Sequence, residues 1–470
     1  MLVVISDLHF EEEKSNYIPG DDDHPPIEFS RNLPGVVYRR FIAHLANEAR
    51  RNGAKKLDLA FAGDIFDFHR TGLWFRQNPG EVRPYVSNSA VSDELELMLL
   101  KILDAVQEAK GVRDSVQAFR LLASGKYLDG GENDFPVPVE FHFIPGNHDR
   151  LANSTPKIRE SIRQALGMPL SGNPFPNILE FPQYHTLVRH GQEYDRYNFS
   201  IDTTKEELIP LRIPVEAYDE APFGDFVTVD VASHNPHLFR QVHGEQNIIA
   251  DPVLRAVYLR LLEFDDLRPQ SALFNYLISM PQSYVDPVIV WKVIEPVLYN
   301  LLELIHQDPF FRKWLEKMDT KWKLDVVDAI KTILALRPWR LTGIPLGMAQ
   351  FISNLAISHV QDAPGAQIHA AREEVIQNGT YHFLVAGHTH RPRVDLIASD
   401  EMGERYYIDT GTWRNRVPAT PDYKAFGRLK ALTYVIIYGP DEDAGSLTSA
   451  ESKLASVDYW SGFTQRWEKI

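Results

Sequence analysis

The chain has 470 residues, 44% of them hydrophobic and 24% charged, with a formal net charge of −15 and no cysteine. The length admits two or three domains, or one domain with large insertions, and the composition is that of a globular enzyme. The acidity disfavours a protein whose main task is to grip phosphate backbones, and without thiols disulfides are excluded and any metal falls to nitrogen and oxygen ligands.

The first residues, Met1-Leu2-Val3-Val4-Ile5-Ser6-Asp7, lack a basic lead-in and are too short an apolar run for a signal peptide. No uncharged apolar stretch has the length of a spanning helix, so a cytoplasmic protein with no transmembrane segment is expected. Residues 2–6 predict a buried strand that ends in Asp7-Leu8-His9. Side chains two apart in an extended segment share a face. Glu11-Glu12-Glu13 and Asp21-Asp22-Asp23 read as a solvated acidic loop. Helical spacing follows from Tyr38 to Arg51, with Gly53 as terminator.

A second strand, Leu57 to Ala62, passes into Gly63-Asp64-Ile65-Phe66-Asp67. Residues 69–137 change character and are expected to be an insertion near the mouth of a site. They hold an aromatic loop (Leu73-Trp74-Phe75-Arg76) and a helix from Ser92 to about Lys110 that Ser92 or Asp93 can cap. A third strand, Val139 to Ile144, precedes Pro145-Gly146-Asn147-His148-Asp149. A fourth, Thr186 to Arg189, precedes His190-Gly191-Gln192-Glu193-Tyr194-Asp195.

The long stretch 199–379 has helical texture and is expected to be a helical insertion or cap. Asp251-Pro252, Asp286-Pro287 and Asp308-Pro309 each signal a helix start, with Asp as cap and Pro at the first helical position. The wide stripe Val293, Val297, Leu301 and Ile305, flanked by Ile294, Leu298 and Leu302, predicts a helix buried within the insertion. Contact with a membrane surface is the alternative for that face, and Glu295, Glu303 and the missing basic side speak against it. A further helix is expected over Gln367–Asn378, ended by Gly379. The strand Tyr381–Ala386 stops at Gly387 and presents His388 and His390. Strands at Tyr406–Asp409 and Leu432–Tyr438 follow, and the tail 441–470 ends in aromatics that suggest docking.

Five strand ends therefore carry Asp, His or Asn, and in an α/β fold such ends gather at one edge, where ligands bind. Carboxylates, imidazoles and an amide suit Mn²⁺, Fe²⁺ or Zn²⁺. Two such ions about 3.5–4 Å apart clamp the oxygens of an in-line displacement and acidify a shared water. Asp64 is the candidate bridge, since each of its oxygens can serve one ion. His148 is the candidate acid or charge stabiliser, with Asp67 fixing its tautomer.

Asp-x-His at 7–9, Gly-Asp-x-x-Asp at 63–67, Gly-Asn-His-Asp at 146–149, His-Gly at 190–191 and Gly-His-x-His at 387–390 resemble, in order, the five motifs of calcineurin-like metallophosphoesterases. The resemblance covers about half the chain. It implies a four-layer α/β/β/α sandwich with large helical insertions, whose catalytic core is 1–198 and 380–440. It also implies a first metal held by Asp7, His9, Asp64 and His390, and a second held by Asp64, Asn147, His190 and His388. His148 and Asp67 would form the catalytic pair, Asp149 would stand behind the ligands, and Arg391 would meet substrate. The purple acid phosphatase branch is not matched, because no tyrosine follows the Gly-Asp motif.

Ser-Asp-Leu-His, Gly-Asp-Ile-Phe-Asp, Gly-His-Thr-His-Arg-Pro and Asp-Thr-Gly-Thr-Trp are similar to the UDP-2,3-diacylglucosamine hydrolase group. Two departures separate them: that group usually has arginine where this chain has His148, and its members are about half as long. The expectation is a phosphoesterase or pyrophosphatase that attacks through a hydroxide bridging two metals, acting on a small phosphorylated substrate. Arg391, Trp413 and Arg414, close to the fifth motif, are candidates to meet that phosphate. A nuclease of the same chemistry and a non-catalytic scaffold of the same fold are the alternatives. The first needs a basic track, and the second is expected to have lost ligands. The sequence assigns no oligomeric state.

Overall fold

The structure, a computed structural model, describes residues 1–76, 78, 81–268, 272–279, 286–319, 365–442 and 456–464. The fold is mixed α/β. Its strands in chain order are β1 (Leu2–Ile5), β2 (Leu57–Ala62), a small hairpin of β3 (Lys126–Leu128) and β4 (Glu132–Asp134), β5 (Val139–Ile144), β6 (Leu179–Phe181), β7 (Thr186–Val188), β8 (Leu267–Arg268), β9 (Phe383–Ala386), β10 (Arg393–Asp400), β11 (Gly403–Asp409), β12 (Asn415–Pro418), β13 (Leu429–Tyr438) and β14 (Ser456–Thr464). One sheet runs β5-β2-β1-β13-β12-β8 with β14 added on β13, and another runs β10-β11-β9-β7-β6.

The alternation of β1 explains the layering. Leu2 and Val4 point to one face and join Ala60, Ala62, Ile144, Val188, Val385 and Ile408 in a core between the two sheets. Val3 and Ile5 point to the other face and meet the helices Gly35–Arg51, Asp93–Glu108, Lys110–Ala123 and Pro156–Leu166. The second sheet's outer face, with Leu187, Leu384 and Tyr407, is covered by Ile209 and the short helices Ala366–Ala370 and Glu374–Gln377. β1, β2 and β5 are mutually parallel, and so are β7, β9 and β11. Each set therefore delivers its strand ends to one edge, and the edges adjoin: the Trp413 N–H donates to Asp7 O at 3.1 Å and the His388 N–H to Asp7 Oδ2 at 3.0 Å.

The helix starts expected from the sequence form. The Ser92 side chain accepts from Leu95 N, Asp251 from Val253 N and Leu254 N, Asp286 from Val288 N and Asp308 from Phe311 N. On the helix Pro287–Gln307, Val290, Ile294, Val297 and Leu301 are buried against Leu238, Phe239, Val257 and Tyr258, so the stripe packs inside the helical segment as expected. The side chain of Leu302, and residues 320–364 of that segment, lie outside the described residues. No helix among the described residues is long and apolar enough to cross a membrane.

Several expectations are corrected. Asp93–Glu108 and Lys110–Ala123 are not at the mouth of the site; their apolar faces complete the core over the first sheet beside Tyr38, Phe41 and Leu45. Glu11 and Glu12 are buried rather than solvated, because Arg31 and Arg414 pair with Glu11 while Ser15 and Thr71 donate to Glu12; only Asp21–Asp23 stay exposed. The helix expected over Gln367–Asn378 is broken in two. Ile209 inserts at the break, donating to Arg372 O and accepting from Glu374 N, each at 2.8 Å. Within the tail, Ser456–Thr464 form the edge strand β14, paired along β13 from Ser456↔Tyr438 to Thr464↔Lys430; the last turn, expected to dock, lies outside the described residues.

Trp413 is fully buried, stacks on Tyr38 with centroids 5.1 Å apart, and donates from Nε1 to Thr433 O at 2.6 Å. It is therefore a core residue, not a phosphate contact. Trp413→Ala is expected to cost about 3–5 kcal/mol, read as a lower midpoint in urea. An unchanged midpoint would show that this ring does not hold helix Gly35–Arg51 to the sheet.

Candidate metal centre

Residues from five strand ends converge where the two sheets adjoin. Ligand-type atoms of Asp7, His9 and His390 lie within 4.8 Å of one another, as do those of Asp64, His190 and His388, and those of His9, Asp64 and His148. The His390 Nε2 is 3.2 Å from Asp7 Oδ1 and 3.0 Å from His9 Nε2. Asp64 Oδ2 stands between the groups, 3.2 Å from His190 Nε2 and 3.6 Å from His9 Nε2. Asn147 Oδ1 is 2.9 Å from His388 Nδ1 and 3.3 Å from His190 Nε2. Every residue expected as a ligand is thus brought to one place.

The donor chemistry fits a cation. The His190 Nδ1–H donates to Ala62 O at 2.8 Å, which leaves Nε2 to face Asp64 and the cluster. The His9 Nδ1 sits 2.9 Å from Asp67 Oδ2, and the His388 Nε2 3.2 Å from Asp195 Oδ2, so the opposite nitrogen of each ring faces the cluster. One detail differs from expectation. The two oxygens of Asp64 are not divided between two sides: Oδ1 accepts the His148 N–H at 2.8 Å, and Oδ2 alone faces both groups.

Local backbone makes this approach feasible. Asp7, His9, Asp64, His388 and His390 all have positive φ, between 42° and 70°, a region costly for side-chain-bearing residues. Gly146 and Gly387 let the carboxylates press on main chain, since a Cβ on Gly146 would collide with Asp64 Oδ1 and one on Gly387 with Asp7 Oδ2.

Burial and neighbours set the charges. Burial opposes ionisation of Asp7, yet His390 and His9 hold its carboxyl well below the usual range. Burial likewise opposes ionisation of Asp64, and His190 and His148 hold it low. The His190 imidazole, penalised by burial but facing Asp64, is pushed up to about 10. Burial and then Arg268 push His390 well below its ordinary value.

His148 lines the cavity, and its Nδ1 lies 3.2 Å from Asp67, as expected. Burial disfavours its protonation, and Asp67 more than compensates, raising it above the ordinary value. Asp149 is turned away from the cavity and accepts the Ile65 N–H at 2.8 Å and the Asp64 N–H at 3.2 Å, so it buttresses the ligand loop. Arg391 lines the cavity; Arg414 does not, since it is 1% exposed and bound to Glu11 and Asp266. Sequence reasoning missed Asp195, Arg70 and Arg268 as cavity residues. Asp195 stood in the fourth motif. Arg268, 122 residues before His390, had no motif to mark it.

Comparison with protein-family models, with curated proteins and with solved structures gives no match to this chain.

Asp409, at the end of β11, is fully buried and accepts from Thr389 Oγ1 and Gly411 N; burial above all pushes its carboxyl up to about 8. Between the ordinary value of 3.8 and about 8 the folded chain keeps a proton that the unfolded chain releases, so stability falls as pH rises through this window. Asp409→Asn, measured with chelator present, is expected to gain in melting temperature over the native chain as pH rises, the difference being larger at pH 9 than at pH 5. A difference that does not change with pH would refute the assignment.

Proposed function

We propose that this chain is a metal-dependent phosphoesterase of the calcineurin-like kind, and that its two face-to-face sheets with helices outside are the four-layer sandwich of that family. The observation that carries the reading is the single carboxylate oxygen of Asp64 set between Asp7/His9/His390 and Asn147/His190/His388. When bound, a pair of divalent ions of the Mn²⁺, Fe²⁺ or Zn²⁺ class supplies a clamp for the oxygens of an in-line displacement and a water of lowered pKa.

The chain's own residues supply the rest. Asp7, His9, Asp64 and His390 would hold one ion, and Asp64, Asn147, His190 and His388 the other. Asp195 fixes the His388 ring and Asp67 fixes His9 and His148, which limits the reorganisation needed during reaction. His148, kept protonated more readily by Asp67, stands in the cavity wall with its Nδ1 committed. It would give a proton, or a charge-assisted hydrogen bond, to the leaving oxygen.

The native protein with Mn²⁺ is expected to hydrolyse bis(p-nitrophenyl) phosphate or a phosphomonoester. Asp64→Asn is expected to lose bound metal, measured by mass spectrometry, together with activity; full metal content in that variant would contradict the bridge. His148→Ala is expected to keep its metal while kcat falls about 10²–10⁴-fold. Equal kcat would remove His148 from the chemistry. No hydrolysis of any phosphoester by metal-loaded native protein would favour the scaffold alternative, and a salt-sensitive DNA complex at submicromolar protein the nuclease.

A further inference from the structure

The cavity beside Asp64 has a volume of about 160 Å³, and every described residue lining it is polar or charged. Among the described residues no aliphatic side chain lines it for an acyl chain to lie on. Beyond the ligand residues and His148, its wall holds Asp195, Asn198, Thr228 and Thr389, together with three arginines, Arg70, Arg268 and Arg391. The two carboxylates in the wall are already committed, Asp64 to His190 and Asp195 to His388. Against these two carboxylates the same wall sets three guanidiniums.

The three guanidiniums reach this place by different routes. Arg70 follows the Gly-Asp motif. Its side chain is 3% exposed, and its Nε and Nη1 make no hydrogen bond, the nearest carboxylate oxygens being on Asp67 and Asp265 at 3.5 Å. Arg268 belongs to the helical segment. It is carried in by β8, which pairs with β12 through Leu267↔Val417 and Arg268↔Pro418, and its Nη2 lies 2.7 Å from His390 Nδ1. Arg391 directly follows His390. Behind them is Arg416, whose Nε is buried without a hydrogen bond. Guanidiniums gathered in one wall repel one another and match oxyanions through their fork of N–H donors.

We propose that Arg70, Arg268 and Arg391 form a subsite for a second anionic group, and that the substrate is a small, water-soluble phosphate ester that carries this group beside the ester. The inference rests on the phosphoesterase reading for the ester, and on the arginines alone for the second anion. Arg268 makes the helical segment a source of specificity rather than only a cover.

The test uses the full chain and a matched pair of probes, glycerol 3-phosphate and 3-phosphoglycerate, which differ by a carboxylate. In the Mn²⁺-loaded protein, kcat/KM is expected to favour 3-phosphoglycerate about ten-fold or more, and Arg268→Gln to reduce that ratio toward unity. Arg391→Gln, at an exposed position, is the second variant should the first fail to fold, and a fall in the same ratio is expected. Calorimetric titration of the same probes into chelator-treated protein gives a readout independent of turnover. There 3-phosphoglycerate is expected to bind more tightly than glycerol 3-phosphate, by a margin that Arg268→Gln or Arg391→Gln removes.

No turnover of either probe, with the binding preference intact, would sink the phosphoesterase reading and leave the subsite standing. Turnover or binding indifferent to the carboxylate, with ratios unmoved in both variants, would overturn the subsite. So would a preference for a diacyl or nucleotide-bearing ester over 3-phosphoglycerate.

Discussion

The centre depends on backbone held in the left-handed region at the ends of buried strands. Asp7 and His9 after β1, Asp64 after β2, and His388 and His390 after β9 all have φ that an unconstrained residue with a Cβ avoids, at roughly 1–3 kcal/mol each. Among the described residues only Glu81, His185 and Tyr423 share that feature without being candidate ligands. The strain is concentrated where chemistry is proposed, and something must hold it there. Parallel pairing does so: Ile5↔Phe61, Ala62↔Ile144 and Ala386↔Asp409 fix where each strand stops, so the residue after it has little freedom.

A second set of buried groups locks the loops beyond those strand ends. Arg189, just before His190, is fully buried and binds Glu373 at 2.8 Å, while Glu193 accepts from Tyr218 OH at 3.0 Å. Arg150, just after Asp149, reaches Asp225 at 2.8 Å. Glu11, Arg31, Arg414, Asp265 and Asp266 join the segment after β1 to the residues leading into β8. Each network pairs a residue next to a ligand motif with one from the helical segment or its flanks. Breaking such a buried pair leaves an uncompensated charge, which is more costly than the net worth of the pair itself. The helical segment is therefore fastened to the edge that carries the candidate ligands by charge as well as by apolar packing.

How much of this was legible in the sequence follows from the range of the interactions. Strands β1, β2, β5 and β9 and the Asp-Pro helix starts are local, set by apolar runs and by caps within three residues, and they were read closely. The convergence of the candidate ligands was also readable, because each sits at the end of such a run. The edge strands β6, β10 and β14, the strand β12 and the two-residue β8 were not, since their pairing is decided by partners far along the chain. Glu11 and Glu12 were misread for the same reason. A run of acidic residues looks solvated until Arg31, Arg414 and Thr71 are brought to it by the fold. Trp413 and Arg414 lay near a motif in sequence, yet the strand geometry turns both into the interior.

The electrostatics give a sharper form of that lesson. A net charge of −15 averages over the whole surface, and argues only about long-range attraction, which solvent ions screen beyond about 10 Å. The cavity is different: its carboxylates are committed to histidines, and the guanidiniums of Arg70, Arg268 and Arg391 stand in its wall. A small anion at that distance responds to those few groups and not to the chain's total. An acidic protein can thus repel a polyanion such as nucleic acid at its surface and still select a compact anion at its centre. For the proposed subsite that selection depends on where three arginines are placed, and one of the three is carried in by β8, which pairs with β12.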